Sequence, residues 1–345
     1  MSNVFTQIQR LHATIESAAN IQPLWAVAIM VVGFVLLVYG GNALVLGSAS
    51  IARRLGISPL VVGLTIVAAG TSAPELFLNL AAALSGETDI CFGNIVGSNI
   101  ANIGLVLAVG GLIAPLVVSR RVVMSEIPWM IGVSCAFAGF LLLHEPGEAA
   151  GIKGIGRPGG ILFLSVFVIL IFVWIRLARS AGETVVPDDI PAAPLPLAIL
   201  ALIAGLLLLP VGGEFARAGA VGLATYFQWP TVVIGLTIVA LATSLPELFT
   251  TIACCRRGES DMAIGNVVGS NLFNLVLVMG LTATVKPVPL PPGGWIDIGV
   301  MLGLSVVLLP LAFVRLRINR VESILLLTVY GGYIGFQVWR ALSST

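Results

Sequence analysis

Ten apolar runs, most of them about twenty residues or longer, limit what this chain can become more than any other feature. They fall at 24–47, 58–84, 90–118, 127–143, 160–176, 195–213, 229–255, 262–285, 295–314 and 323–340. Hydrocarbon offers backbone N–H and C=O groups no partner, so each run must satisfy its own hydrogen bonds, as a helix does. The predicted fold is therefore an all-α polytopic membrane protein with ten transmembrane helices. Only 10% of the 345 residues are charged, against about 25% in soluble domains. A net charge of +1 leaves no basic surface for nucleic acid.

Lysine and arginine in the loops set the expected orientation. One side collects Arg53, Arg54, Arg120, Arg121, Arg176, Arg179, Arg256, Arg257, Arg315, Arg317 and Arg320, 11 of the 17 basic residues. The other holds Arg10, Lys153, Arg157, Arg217, Lys286 and Arg340. The first side is predicted to be cytoplasmic, both termini extracytoplasmic, and the plasma (inner) membrane the location. The opening MSNVFTQIQRLHATIE has no basic residue before Arg10 and no apolar core at signal-peptide distance, so no cleavage is expected. One compositional break, LARSAGETVVPDDIPAAP, marks a cytoplasmic linker at 179–194, too short to hold a domain.

The linker separates two copies of one design. Shifting the chain by 172 residues lays Val61–Leu105 on Val233–Leu277 with 25 identities in 45 positions and no gap. Upstream, Gly33, Gly40 and Gly41 fall on Gly205, Gly212 and Gly213. The second span maps onto the seventh, five crossings later, so the copies are expected to enter the membrane from opposite sides. This is a pair of inverted five-helix repeats, 20–178 and 195–341, an arrangement that places transport sites at the midplane.

The duplicated stretch carries polar residues that lipid should exclude. GLTIVAAGTSAPELFLN (63–79) and GLTIVALATSLPELFTT (235–251) each hold a Pro-Glu pair at the centre of a span. A carboxylate there costs about 2.5 to 3.5 kcal/mol on the mildest insertion scale, and proline loosens the helix. Read as a helix, the first motif puts Thr71 and Ser72 on the face of Glu75; Thr243, Ser244 and Glu247 repeat this. GNIVGSNIAN (93–102) and GNVVGSNLFN (265–274) add Ser98 with Asn102 and Ser270 with Asn274 at i,i+4. These are hard oxygen donors, suited to calcium and sodium. Taken singly, a GxxxG pair is a packing device and a membrane serine bonds its own i−4 carbonyl. Two protonated glutamic acids tying helices together would not require the flanking Thr, Ser and Asn to recur.

Other polar residues read plainly. Cys91, Cys135, Cys254 and Cys255 lack CxxC spacing and are expected to be packing residues. His12 and His144 lie outside the spans or at their ends, which leaves transition-metal binding and histidine catalysis without support. Glu214 and Asp297 are expected at span ends, and Trp25, Trp129, Trp229, Trp295 and Trp339 in an aromatic belt.

GTSAPEL with GNIVGSNIAN, and ATSLPEL with GNVVGSNLFN, resemble the two alpha repeats of the sodium/calcium exchanger family, within the calcium/cation antiporter superfamily. The resemblance implies a ligand set. Glu75 and Glu247 would be the central ligands for calcium and, alternately, sodium, with Thr71 and Thr243 completing the calcium site. Ser72, Ser98, Ser244 and Ser270, with the backbone oxygens of Ala68 and Ala240, would form flanking sodium sites, and Asn102 and Asn274 the middle position. Asn274 stands where the potassium-dependent branch carries aspartate. Gly97 and Gly269 stand where proton/calcium exchangers carry glutamate. Both departures favour sodium coupling over the alternatives, a potassium-dependent or proton-coupled antiporter on the same scaffold.

The expected function is thus electrogenic exchange of sodium for calcium by alternating access, with the long, glycine-rich spans one and six as the family's sliding gates. An ion channel would need a polar stripe through several helices, whereas the polar residues here gather at one depth. An intramembrane enzyme would need a histidine dyad or an aspartate pair that the spans lack. The expected partners are calcium and sodium ions and the lipid bilayer. No cofactor and no obligatory protein partner are expected.

Overall fold

The computed structural model describes residues 22–143, 153–180, 193–229, 231–234, 237–238 and 240–343. Most of the expected linker, and both histidines, lie outside them. Among the described residues the regular structure is helical, apart from four two-residue strands. Helix α1 spans Pro23–Leu55, α2 Pro59–Thr71, α3 Ala73–Ser85, α4 Ile90–Ile113, α5 Val122–Leu143 and α6 Arg157–Ser180. Then come α7 at Leu195–Tyr226, α8 at Thr231–Ile234, α9 at Ala240–Thr243, α10 at Leu245–Arg256, α11 at Ser260–Val285, α12 at Gly294–Arg315 and α13 at Arg320–Ser343.

Among the described residues, eight helices are long and apolar enough to cross a membrane, and a ninth span forms if α2 and α3 are joined across their 43° bend. The expected seventh span contains positions 230, 235, 236 and 239, which are not described. One expectation about a span needs correction. Span six does not stop near 213 but runs to Tyr226, with Glu214 inside it. The reason is local: Glu214 takes two hydrogen bonds from Arg217 one turn on, at 2.6 and 2.9 Å, so neither charge ends the helix. Asp297 stands in the first turn of α12, near a span end as expected, where it is buried against α13 and accepts from Tyr333 at 2.9 Å and Gln337 at 2.6 Å.

Helices α4 and α11 form the centre, α11 buried along nearly its whole length, while much of α1, α7 and α13 is half-buried or exposed. Exposed Trp25, Trp129, Trp229, Trp295 and Trp339 stand on the outside. Helices α1 and α7 pack along each other on glycines spaced by seven: Gly33, Gly40 and Gly47 on one, Gly205, Gly212 and Gly219 on the other. The contacts run in opposite order, Gly33 against Ala216, Gly40 against Leu209 and Gly47 against Leu202, so the helices are antiparallel. Backbones approach so closely that a Cβ on Gly212 would lie 2.9 Å from the Gly33 oxygen. Two antiparallel ribbons clip the periphery. Strand β1 (Leu116–Val117), after α4, pairs with β4 (Arg317–Ile318), before α13; β3 (Val288–Pro289), after α11, pairs with β2 (Gly154–Ile155), before α6.

Both α1 and α7 end in the same left-handed turn. Ile57 N–H bonds the Ala52 oxygen at 2.9 Å, and Trp229 N–H bonds the Ala224 oxygen at 2.9 Å, 172 residues later. The turn needs a residue at positive φ: Gly56 sits at 64° and Gln228 at 57°. Glycine adopts that conformation freely, whereas a side chain there costs about 1 kcal/mol or more. Gln228→Gly is therefore expected to stabilise the protein by about 1 kcal/mol. Thermal unfolding in detergent checks it, and an unchanged or lowered midpoint would remove the claim of strain.

Candidate functional site

The Pro-Glu pairs break their helices where lipid would demand continuity. Pro74 has no N–H for the carbonyl four residues back, and the chain departs from helix at Ser72, with φ −82° and ψ 4°. Pro246 does the same at Ser244, with φ −86° and ψ 1°. The motif is not one helix, as the sequence reading had it. It is two segments, and the Ser72 hydroxyl at the break reaches the carboxylate of the other half. Each restart places its glutamate in the first turn of a new helix, Glu75 in α3 and Glu247 in α10, where the positive end of the helix dipole favours a carboxylate.

Seven of the twelve sequence-derived candidates, Glu75, Glu247, Thr71, Thr243, Ser72, Ser98 and Ser270, touch one another through buried side chains, and Ser244, Asn102 and Asn274 are buried on the same segments. Glu75 and Glu247 are fully buried, as are Thr71, Ser270, Asn102 and Asn274; Ser72, Ser98, Ser244 and Thr243 are nearly so. Ser98 donates to Glu75 Oε1 at 3.4 Å, and its counterpart Ser270 donates to Glu247 Oε1 at 3.4 Å. Contacts also cross between the halves. Ser72 donates to Glu247 Oε1 at 3.1 Å. Thr71 Oγ1 lies 3.3 Å from Ser270 Oγ, and Thr243 Oγ1 lies 3.4 Å from Ser98 Oγ. These hydroxyls reach across the core, unlike Thr65 and Thr237, which bond the carbonyls of Val61 and Val233 four residues back.

Each glutamate keeps its second oxygen, Oε2, without a hydrogen-bond partner, as do Ser244 Oγ and the side-chain oxygens of Asn102 and Asn274. Buried acceptors are almost always paired, so a cluster of unpaired oxygens around two carboxylates is a cradle for a cation. Among the described residues no three His, Cys, Asp or Glu side chains gather elsewhere. Of the two backbone candidates, the Ala68 oxygen accepts the Ser72 N–H at 2.9 Å; in the other half the Ser244 N–H bonds the Leu241 oxygen at 3.1 Å.

Four asparagines missed by sequence reasoning complete the cluster. Asn99 donates to the Asn271 carbonyl at 3.2 Å, Asn102 to Asn271 Oδ1 at 3.0 Å, and Asn274 to Asn99 Oδ1 at 3.1 Å, a reciprocal lock between α4 and α11. Just beyond it both helices widen into π-helical turns, at Asn102–Leu107 and Asn274–Val278, a distortion common at functional sites. Asn94 and Asn266 accept the hydroxyls of Thr243 and Thr71 at 3.3 and 3.1 Å. Their recurrence 172 residues apart was the available signal.

Known proteins resemble this chain in sequence and in fold. A family model described as sodium/calcium exchanger protein matches residues 25–176 and 197–339. The chain is 36% identical to the putative antiporter CaxA of Alkalimonas amylolytica, over 89% of this chain and 97% of that one. It is 36% identical to the inner membrane protein YrbG of Escherichia coli, over 92% and 97%. The sodium/calcium exchanger MaX1 of Methanosarcina acetivorans is 28% identical over 89% and 96%. Among solved structures, the sodium-calcium exchanger NCX_Mj superposes with a TM-score of 0.76 at 30% identity, covering 91% of this chain and 99% of that one.

Removing one of the two charges should be decisive. Two unit charges 4 Å apart interact by about 4 kcal/mol at an effective dielectric constant of about 20. Glu75→Gln and Glu247→Gln are each expected to weaken calcium binding at least about a hundredfold while the protein still folds. Calorimetric titration of purified protein measures this; near-normal affinity in either variant would remove the glutamates from the site.

Proposed function

Because this chain belongs to the sodium/calcium exchanger protein family, we propose that it is a secondary antiporter exchanging sodium for calcium by alternating access. It is a multi-pass integral membrane protein and a transporter rather than an enzyme. The observation that carries the proposal is the pair of buried glutamates, each with an unpaired oxygen, inside a ring of neutral oxygens drawn from both halves.

Charge balance supplies the mechanism. Two carboxylates in a low-dielectric core repel each other and have lost their hydration, so an empty ionised site is costly to carry past the membrane centre. One divalent cation, or two or more monovalent ones, neutralises them. Movement between the two access states is then cheap only when the site is filled, which makes exchange obligatory.

In this reading Glu75, Glu247, Thr71 and Thr243 hold calcium. Ser72, Ser98, Ser244 and Ser270, with the Ala68 and Ala240 carbonyls, hold flanking sodium ions, and Asn102 and Asn274 occupy the middle position. Residues 20–178 and 195–341 act as inverted repeats joined by the linker 179–194. Antiparallel packing of α1 on α7, helices that correspond under the 172-residue shift, supports the inversion. The names of MaX1 and NCX_Mj as sodium/calcium exchangers support sodium as the driving ion, and the name of YrbG supports the inner membrane. The arginine-rich face would be cytoplasmic and both termini extracytoplasmic.

More oxygen positions are present than two sodium ions need, so sodium-loaded states carry excess positive charge and exchange is electrogenic. Each net charge moved couples to about 2.3 kcal/mol per 100 mV. Sodium-loaded vesicles should take up isotopic calcium, faster when a potassium/valinomycin potential makes the interior positive, and without a requirement for potassium or a pH gradient. Uptake that follows an imposed pH or potassium gradient instead would replace sodium as the driving ion. A steady-state calcium gradient unmoved by potential would leave only electroneutral exchange.

A further inference from the structure

A hydroxyl that ligates a cation turns a lone pair toward it and its proton away, and an acceptor behind the hydroxyl fixes that orientation. Thr71 has such an acceptor in a residue outside the ligand set. Its hydroxyl stands beside the Glu247 carboxylate and faces three neutral acceptors: Asn266 Oδ1 at 3.1 Å, Ser270 Oγ at 3.3 Å and the Ala68 carbonyl at 3.3 Å. Asn266 is the nearest, is fully buried, and is itself fixed in orientation. Its amide nitrogen donates to Thr251 Oγ1 at 3.1 Å and to the Glu247 carbonyl at 3.3 Å. With both donors committed, its oxygen has one direction left, toward Thr71.

The equivalent corner is built differently. Asn94 Oδ1 accepts the Thr243 hydroxyl at 3.3 Å, but Asn94 Nδ2 is buried without a partner. The position matching Thr251 is Asn79, whose amide takes the Glu75 carbonyl for itself at 2.7 Å. One threonine is therefore backed by an anchored asparagine and the other by an unanchored one.

We infer that Asn266 is a positioning residue of the cation site: it holds the proton of Thr71 so that the Thr71 oxygen presents a lone pair to the bound ion, while Asn94 does this less firmly for Thr243. The inference rests on the antiporter reading. It makes Thr251, two residues removed from the ion, part of the same device, and it makes the two ends of a duplicated site unequal.

A double-mutant cycle on the purified full chain tests it, with calcium affinity read by calorimetry and folding checked by thermal unfolding. Asn266→Leu is expected to weaken calcium binding about tenfold, the scale of one well-placed hydrogen bond. In a Thr71→Val background the same substitution should change affinity little, because no hydroxyl remains to be oriented. Thr71→Ser, which restores a hydroxyl, should restore the dependence on Asn266. Should Asn266→Leu fail to fold, Thr251→Val unties the amide while keeping Asn266, and its smaller loss should likewise vanish with Thr71→Val. Equal losses in both backgrounds would overturn the inference, since they would mean that Asn266 acts on the fold and not through Thr71. A larger loss for Asn94→Leu than for Asn266→Leu would overturn the inequality. Failure of the antiporter reading looks different: the unsubstituted protein would then bind no calcium at all.

Discussion

Two carboxylates deprived of water inside the same apolar core set the terms for everything around Glu75 and Glu247. An ionised group pays several kcal/mol to leave water even after the protein relaxes, and two like charges add their repulsion. No arginine or lysine pairs with either one among the described residues. What the fold provides instead is partial charge: hydroxyl donors from Ser72, Ser98 and Ser270, and the first turns of α3 and α10. A fixed cation would have neutralised the glutamates permanently. Neutral dipoles leave the balance to a mobile ion.

That choice accounts for the broken helices. A continuous helix through Glu75 would bury the carboxylate against its own backbone, with every N–H already used. Breaking at Ser72 and Ser244 frees first-turn N–H groups and sends the serine hydroxyl of the first break to the carboxylate of the second half. Irregular backbone is tolerated at this depth because it lies inside protein and not against lipid. The surrounding helices do the shielding, and close packing of α1 on α7 through glycine brings two of them across the break: a Cβ on Gly213 would meet Pro246, and one on Gly41 the Phe249 backbone.

Duplication doubles the oxygens without making the halves identical. Ser72 reaches Glu247, whereas Ser244 Oγ has no partner, and Asn79 stands where the other half has Thr251. A perfectly symmetric site would bind from both sides alike. These differences give the two sides of the site separate chemistry while keeping one scaffold.

Much of this was legible in the sequence. Apolar runs announce helices because lipid forbids any unsatisfied backbone, and a gapless repeat preserves spacing, so Glu75, Thr71 and Ser98 could be paired with their counterparts by counting. Hard oxygens beside a mid-span carboxylate named a cation as the kind of ligand. The partners were not legible. Thr71 finds Asn266 at a separation of 195 residues, and Ser72 finds Glu247 at 175. Local spacing pairs both hydroxyls with Glu75, whereas in the structure they meet groups of the other half. Sequence by itself determined which residues lie in lipid and which chemistry is duplicated, since hydropathy and repetition are local and countable. Tertiary structure alone decided which oxygen faces which carboxylate, because that depends on how two distant segments are rotated against each other once their helices are broken.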